Sequence, residues 1–394
     1  MPDFKKVWED FLTYSPGSTA DVRVFFAPGR VNLIGEHIDY NGGLVMPAAL
    51  TIGTWLFLRK RSDGTSRFAS QAFPSVSTTH VSAIKKGTQG DFSDYMKGIY
   101  HAFAHHGSKH SPAADFYFVS NLPNQAGLSS SAAVELATAY ALNTLGHLGY
   151  STLDLVRLSQ EAENEFVGVN CGIMDQFAVG MGKASHAMLL NTSNLDYEYI
   201  PAEMGQYRLV ITNTNKKRQL SDSKYNERRQ ECETALSKLQ VHFPSMIHLV
   251  ENGEVATKLD HYLNDEVLIR RTRHVMTENK RVMDATSALK NRKMVDFGKL
   301  LNASHESLRD DYEVTGKELD ALVEAQWHAP GCIGARMTGA GFGGCTVGLV
   351  HEDAVADFQA QVEQEYRQAT GLTPSFYVSD IGEGVREVTK EVHL

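Results

Sequence analysis

The segment Gly29-Arg30-Val31-Asn32-Leu33-Ile34-Gly35-Glu36-His37-Ile38-Asp39-Tyr40-Asn41-Gly42-Gly43 sets one guanidinium, two carboxylates, an imidazole and four glycines beside a short apolar run. A plain surface loop has little use for that density of functional groups. A site that neutralises anionic charge and grips a polyhydroxylated small molecule would use all of it. The guanidinium meets the anion, the carboxylates accept hydrogen bonds from hydroxyls, and the glycines let backbone approach closely.

A second stretch, Gly127-Leu128-Ser129-Ser130-Ser131-Ala132-Ala133, stands at the start of a helical pattern. Its serines could satisfy the first-turn N–H groups or a metal, and a helix N-terminus favours phosphate. No Gly-Lys-Ser/Thr follows, so it is not a Walker A loop. Taken alone, a capped helix after a turn explains it equally well. Phosphoryl transfer also needs a metal on the phosphates and a group that orients or deprotonates the acceptor hydroxyl. Hard Mg²⁺ usually takes only one or two oxygen ligands from protein. Glu161, Glu163 and Glu165 all offer carboxylates, and nothing in their spacing chooses among them, because acidic residues on a helix most often face solvent. Asp175 sits in the apolar run Gly172-Ile173-Met174-Asp175-Gln176. A carboxylate there is costly without a partner, and Arg30 is the natural one.

A third motif, Gly334-Ala335-Arg336-Met337-Thr338-Gly339-Ala340-Gly341-Phe342-Gly343-Gly344-Cys345, places five glycines among small residues. That composition predicts a tight backbone turn packed on another element or a ligand. Gly339-x-Gly341-x-x-Gly344 also fits the dinucleotide fingerprint. That reading is rejected because the predicted strand, Thr346 to Val350, follows the motif rather than preceding it, and no acidic residue follows at the ribose distance.

The elements that must position these groups are legible in outline. Phe4, Trp8, Phe11 and Leu12 predict a docked amphipathic helix. Alternating Val22, Val24 and Phe26 predict a strand that delivers Pro28-Gly29-Arg30 to a loop at its end. Strands are expected over Val45 to Arg59, with a turn at Asp63-Gly64, and over Phe116 to Val119, His186 to Leu190 and Tyr207 to Thr212. Ala133, Leu136, Ala137, Tyr140 and Ala141 recur at helical spacing, with Ser129 or Ser130 as the expected cap. A second helix is expected from about Leu153 to Phe166. Charged helices are expected near 222–239, 266–289 and 317–326, and a boundary near residue 205 divides residues 1–205 from 206–394.

The chain has 394 residues, 42% hydrophobic and 22% charged, ordinary for a protein with a full core in about two domains. A net charge of −9 and a pI near 6.0 argue against a nucleic-acid partner. Cys171, Cys232, Cys332 and Cys345 show neither CxxC pairs nor metal spacing, and with no secretory signal they read as reduced thiols. The longest apolar stretch, Leu44 to Leu58, is broken by Pro47 and Gly53 and falls short of the ~20 residues that span a bilayer. A cytoplasmic monomer with no membrane partner is expected.

Together the three motifs resemble those of the galactokinases, within the galactokinase–homoserine–mevalonate–phosphomevalonate (GHMP) kinase superfamily. They occur in the family's order between residues 28 and 345, and the first is specific to galactokinases. The resemblance implies an α+β fold, with an N-terminal domain like ribosomal protein S5 domain 2, a C-terminal ferredoxin-like domain and the site in the cleft. It implies ATP and Mg²⁺ as cofactors and galactose as substrate, phosphorylated at the anomeric hydroxyl. By resemblance Asp175 is the catalytic base and Arg30 the transition-state stabiliser. Glu36, His37, Asp39, Gly172, Asp175 and Tyr225 contact sugar; Ser70, Gln125, Ala126, Gly127, Leu128, Ser129, Ser130 and Ser131 bind ATP; Ser131 and Glu163 hold the metal. Gln125 departs from the glycine usual there. His37 has a plainer alternative, orienting its loop, and Tyr225 could belong to an ordinary charged helix. A kinase for a related sugar, such as N-acetylgalactosamine, is the enzyme alternative. A non-catalytic galactose sensor would lack two residues of the serine loop, which is intact here.

Overall fold

The computed structural model describes residues 2–87, 91–108, 111–122, 127–169, 171–216, 221–251, 255 and 258–392. Gln125 and Ala126, expected at the nucleotide, lie outside the described residues. Helix α1 (Phe4–Tyr14) starts where Asp3 accepts from the Lys6 amide, and it buries Val7, Trp8 and Phe11.

The first sheet has strand order β13-β1-β3-β6-β4-β5, built from β1 (Val22–Asn32), β3 (Pro47–Lys60), β4 (Thr65–Ser70), β5 (Phe73–His80), β6 (Ala114–Ser120) and β13 (Arg386–Glu387). Its pairs are antiparallel except β4 with β6. A three-stranded sheet joins β2 (Leu44–Val45), β7 (His186–Asn191) and β8 (Tyr197–Pro201). A four-stranded antiparallel sheet, order β10-β11-β9-β12, is made of β9 (Tyr207–Asn213), β10 (Cys332–Thr338), β11 (Cys345–His351) and β12 (Ser375–Ser379).

Helices α2 (Asp94–His105), α3 (Ser130–Gly146), α4 (Thr152–Glu161) and α5 (Met174–Met181) accompany the first sheet in the chain. Helices α6 (Ser221–Gln240), α7 (Leu259–Tyr262), α8 (Glu266–Lys290), α9 (Met294–Asp310), α10 (Lys317–His328) and α11 (Val355–Thr370) follow it. Among the described residues, no helix is long and apolar enough to cross a membrane.

Three expectations are corrected. Strand β1 does not end before Pro28-Gly29-Arg30 but runs through them to Asn32. Its register with β3 shifts between Pro28 and Arg30 and then resumes, Arg30 opposite Ala49. A bulge of this kind accommodates proline and re-aims the next side chain. The helix expected from Leu153 to Phe166 is α4 followed by a π turn over Ala162–Val167. The wider turn rephases the chain, and Glu163 is buried rather than solvated. Finally, a strand does precede Gly339, because β10 takes in Gly334 to Thr338. The run of small residues had concealed it. The dinucleotide fingerprint is excluded on another ground: Gly344 is followed by β11, antiparallel to β10, and not by a helix.

Candidate active site

Gly127 and Ser129 have φ of +76° and +60°, so the chain reaches α3 through a left-handed turn. Neither Ser129 nor Ser130 caps the helix as expected. Ser129 stands at the cap position, but its hydroxyl donates instead to Asp175 Oδ2 at 2.6 Å. A non-glycine residue held left-handed is strained, and strain of this kind tends to cluster where geometry serves function. The first-turn amides of α3 have no side-chain cap, which suits them to an anion.

Asp175 lies in the first turn of α5. Arg30, 4% exposed on β1, grips it with two donors, Nε to Oδ1 at 2.8 Å and Nη2 to Oδ2 at 3.0 Å. Its Nη1 donates to the Gly127 carbonyl, and its amide donates to the Leu128 carbonyl at 3.3 Å. One guanidinium thereby fixes Asp175 and the serine loop together.

Glu36 is also buried, and Oε1 accepts from Arg336 Nη2 (2.9 Å), the Thr338 hydroxyl (3.0 Å) and the Gly339 amide (2.7 Å). Oε2 accepts from Asn32 at 3.1 Å. Its carboxylate therefore ties the first motif to the third. His37 has φ +62° and both ring nitrogens engaged: Nε2 donates to the Ala340 carbonyl at 3.1 Å, so Nδ1 accepts from the Tyr40 hydroxyl at 2.9 Å. Burial lowers its pKa to about 4, keeping the ring neutral. Those bonds orient the loop.

Asp39 differs. No side chain donates to its carboxylate among the described residues. Burial first, then the Glu36 and Asp175 carboxylates, raise its pKa to about 6. A side chain at Gly172 would put Cβ 2.5 Å from Asp39 Oδ2, so glycine is what lets the two loops meet. Tyr225 on α6 packs its ring 5.6 Å from that of His37 and 5.5 Å from that of Tyr40. A cavity of about 360 Å³ brings Arg30, Glu36, His37, Asp39, Gly172, Asp175 and Tyr225 onto one surface.

Beside it, Ser131 donates to Glu163, whose pKa burial and then the Asp175 charge raise. Gln176 Nε2 donates to Glu163 Oε2 at 2.5 Å and reaches Glu135 at 3.3 Å. Glu135 is fully buried with Oε1 unpartnered, and burial followed by the Glu163 charge pushes its pKa well up. Ser70 ends β4, its hydroxyl accepting from the Ala72 amide. Leu128 is buried and Ser130 begins α3.

The chain is 49% identical to a galactokinase of Halalkalibacterium halodurans over 385 residues, covering 96% of this chain and 97% of that protein. The chain belongs to the galactokinase family. A galactokinase of Lactiplantibacillus plantarum is 48% identical over 376 residues, covering 94% and 96%. The galactokinase galactose-binding signature matches residues 11–60, the GHMP kinase N-terminal domain 94–183 and the GHMP kinase C-terminal domain 285–368. The structure of Lactococcus lactis galactokinase complexed with galactose superposes with a TM-score of 0.93 at 42% identity, covering 98% of this chain and 100% of that one. Methanococcus jannaschii mevalonate kinase, at 19% identity and a TM-score of 0.67, shares the fold. The expected α+β architecture of a GHMP kinase is the one observed.

Residues that sequence reading missed bind the galactokinase signature from behind. Arg336, fully buried on β10, donates to the carbonyls of Asn32 and Leu33 as well as to Glu36. Its charge amid small residues was a usable signal. Glu278 on α8 accepts from the Gly35 amide at 2.9 Å and the Ser304 hydroxyl at 2.6 Å, and His274 donates to the Glu36 carbonyl at 3.1 Å. Both belong to a helix that reads as solvated, so nothing marked them.

Proposed function

We propose that this protein transfers the γ-phosphoryl group of ATP to the anomeric hydroxyl of α-D-galactose, giving galactose 1-phosphate and ADP. The hydroxyl oxygen bonds to phosphorus, the bond from phosphorus to the β–γ bridging oxygen breaks, and the hydroxyl proton passes to Asp175. The observation that carries the residue assignment is the Arg30–Asp175 pair at the wall of the cavity holding Asp39, Gly172 and Tyr225. Asp175 orients the hydroxyl and accepts its proton, while Arg30 faces the charge that spreads over the phosphoryl oxygens. A loose transition state demands little early deprotonation, so orientation is the larger part of that role.

Asp39 accepts from sugar hydroxyls, with Tyr225 against the ring. Glu36 and His37, expected at the sugar, line the same cavity, and their hydrogen bonds support a share in shaping the loop. Gly127 to Ser131 face the phosphates, together with Ser70. Ser131 and Glu163 are hard oxygen donors already side by side, the set that suits Mg²⁺. The ion supplies charge neutralisation on the phosphates. Strands β1 to β8 precede residue 205 and β9 to β12 follow it, which supports the division there, with β13 returning to the first sheet. A cytoplasmic monomer completes the reading.

Purified protein with ATP, Mg²⁺ and a sugar panel should consume ATP fastest with galactose. Equal or greater rates with N-acetylgalactosamine would overturn the substrate assignment.

A further inference from the structure

Residues 101–110, His-Ala-Phe-Ala-His-His-Gly-Ser-Lys-His, carry four of the chain's sixteen histidines. His105 closes α2 and His106 is its C-cap. Glu161, the last residue of α4, reaches across to both. One carboxylate oxygen stands 2.9 Å from His105 Nδ1 and the other 2.7 Å from His106 Nε2. The three side chains' ligand atoms lie within 4.8 Å of one another, the one such cluster of three among the described residues. The phosphoryl-transfer chemistry has no use for it.

We propose that His105, His106 and Glu161 form a binding site for a divalent cation of the zinc class. Two imidazole nitrogens and a carboxylate are the donors that Zn²⁺ takes, and by the same chemistry they select against Mg²⁺. The spacing is that of ligands around one small ion, which would stand where ring protons now bridge nitrogen to oxygen. The setting favours a cation twice over. The C-terminal end of α2 presents the negative end of the helix dipole there, and Glu165 adds negative charge close to His105. A third imidazole, His101, lies with its ring 6.4 Å from that of His105, held against Phe166. Three protein ligands leave a fourth position at the ion for water. An occupied site joins the end of α2 to the residue just before the π turn, two positions before Glu163.

The test is calorimetric titration of ZnCl₂ into chelator-treated protein, with MgCl₂ in excess and no nucleotide. The wild type should show a saturable one-to-one event and a rise in Tm with zinc. His105→Ala, His106→Ala and Glu161→Gln should each weaken that event by about tenfold or more. His328→Ala, at an exposed histidine elsewhere, should leave it unchanged. His105→Ala should keep the wild-type Tm without zinc and its galactose-dependent ATP consumption, which separates lost ligation from lost folding. No saturable event, or one that survives all three substitutions, or one equally weakened by His328→Ala, overturns the proposal.

Discussion

Glu278→Gln tests whether a carboxylate with no contact to the cavity governs the signature loop that begins at Gly35. Burial raises the pKa of this fully enclosed group, yet Arg281 first, then His274, Arg336 and the Ser304 hydroxyl outweigh it and hold the carboxyl near 2, against 4.5 ordinarily. At 1.36 kcal/mol per unit, that depression amounts to about 3 kcal/mol in favour of the ionised form. A depressed pKa contributes stability that is fully present above pH 4.5 and lost as pH falls toward 2. Glutamine keeps an oxygen for the Gly35 amide but leaves the Arg281 guanidinium without its counter-charge. Urea unfolding at pH 7 should therefore show a loss of up to about 3 kcal/mol. The gap from wild type should narrow below pH 4.5. Because Gly35 precedes Glu36 with φ +102°, the loosened turn should raise the galactose KM more than it lowers kcat. A stability loss under about 0.5 kcal/mol, within the scatter of ordinary surface changes, together with an unchanged KM, would refute the reasoning.

Asp175→Ala should lower turnover by about a thousandfold or more while ATP affinity, read by calorimetry, stays within a few-fold; retained turnover removes Asp175 from the mechanism. Asp39, with its pKa raised to about 6, should make galactose kcat/KM fall as pH drops through 6, and Asp39→Asn should abolish that limb. A raised carboxyl pKa destabilises the fold above it, so Asp39→Asn should also gain stability at pH 7 in urea unfolding, on the order of 1–2 kcal/mol after allowance for solvent screening; a loss would contradict the sign. Gly172→Ala puts a methyl 2.5 Å from Asp39 Oδ2 and should raise the galactose KM about tenfold or more with the fold intact by circular dichroism; an unchanged KM would show that the loops can part freely.

The groups that line the candidate site were legible because chemistry concentrates unusual residue types in short runs. Arg30 and Asp175 could be paired from sequence because a buried carboxylate needs a cation, though they stand 145 positions apart. What supports them was not. Glu278 and His274 are turned inward on a helix whose charged composition reads as solvent-facing, and only the packing of α8 against the signature loop reveals them. The π turn escaped because helical spacing continues through Ala162 and Phe166 without a break. Ser129 looked like a cap because serine usually caps, and its left-handed backbone depends on tertiary contacts that no local pattern encodes.

Strand β13 has a consequence in the order of synthesis. It pairs with Phe25 and Phe26 of β1, Val24 bonds Thr389 and Val388, and the Trp8 indole donates to the Val392 carbonyl, 384 residues away. A ribosome making roughly 5–20 residues per second leaves the outer edge of β1 without its partner for tens of seconds. During that wait the strand bearing Arg30 is an open template for another chain. Arg30 is made long before the strand that completes its sheet, so nascent chains cut short before residue 386 should be the ones that aggregate.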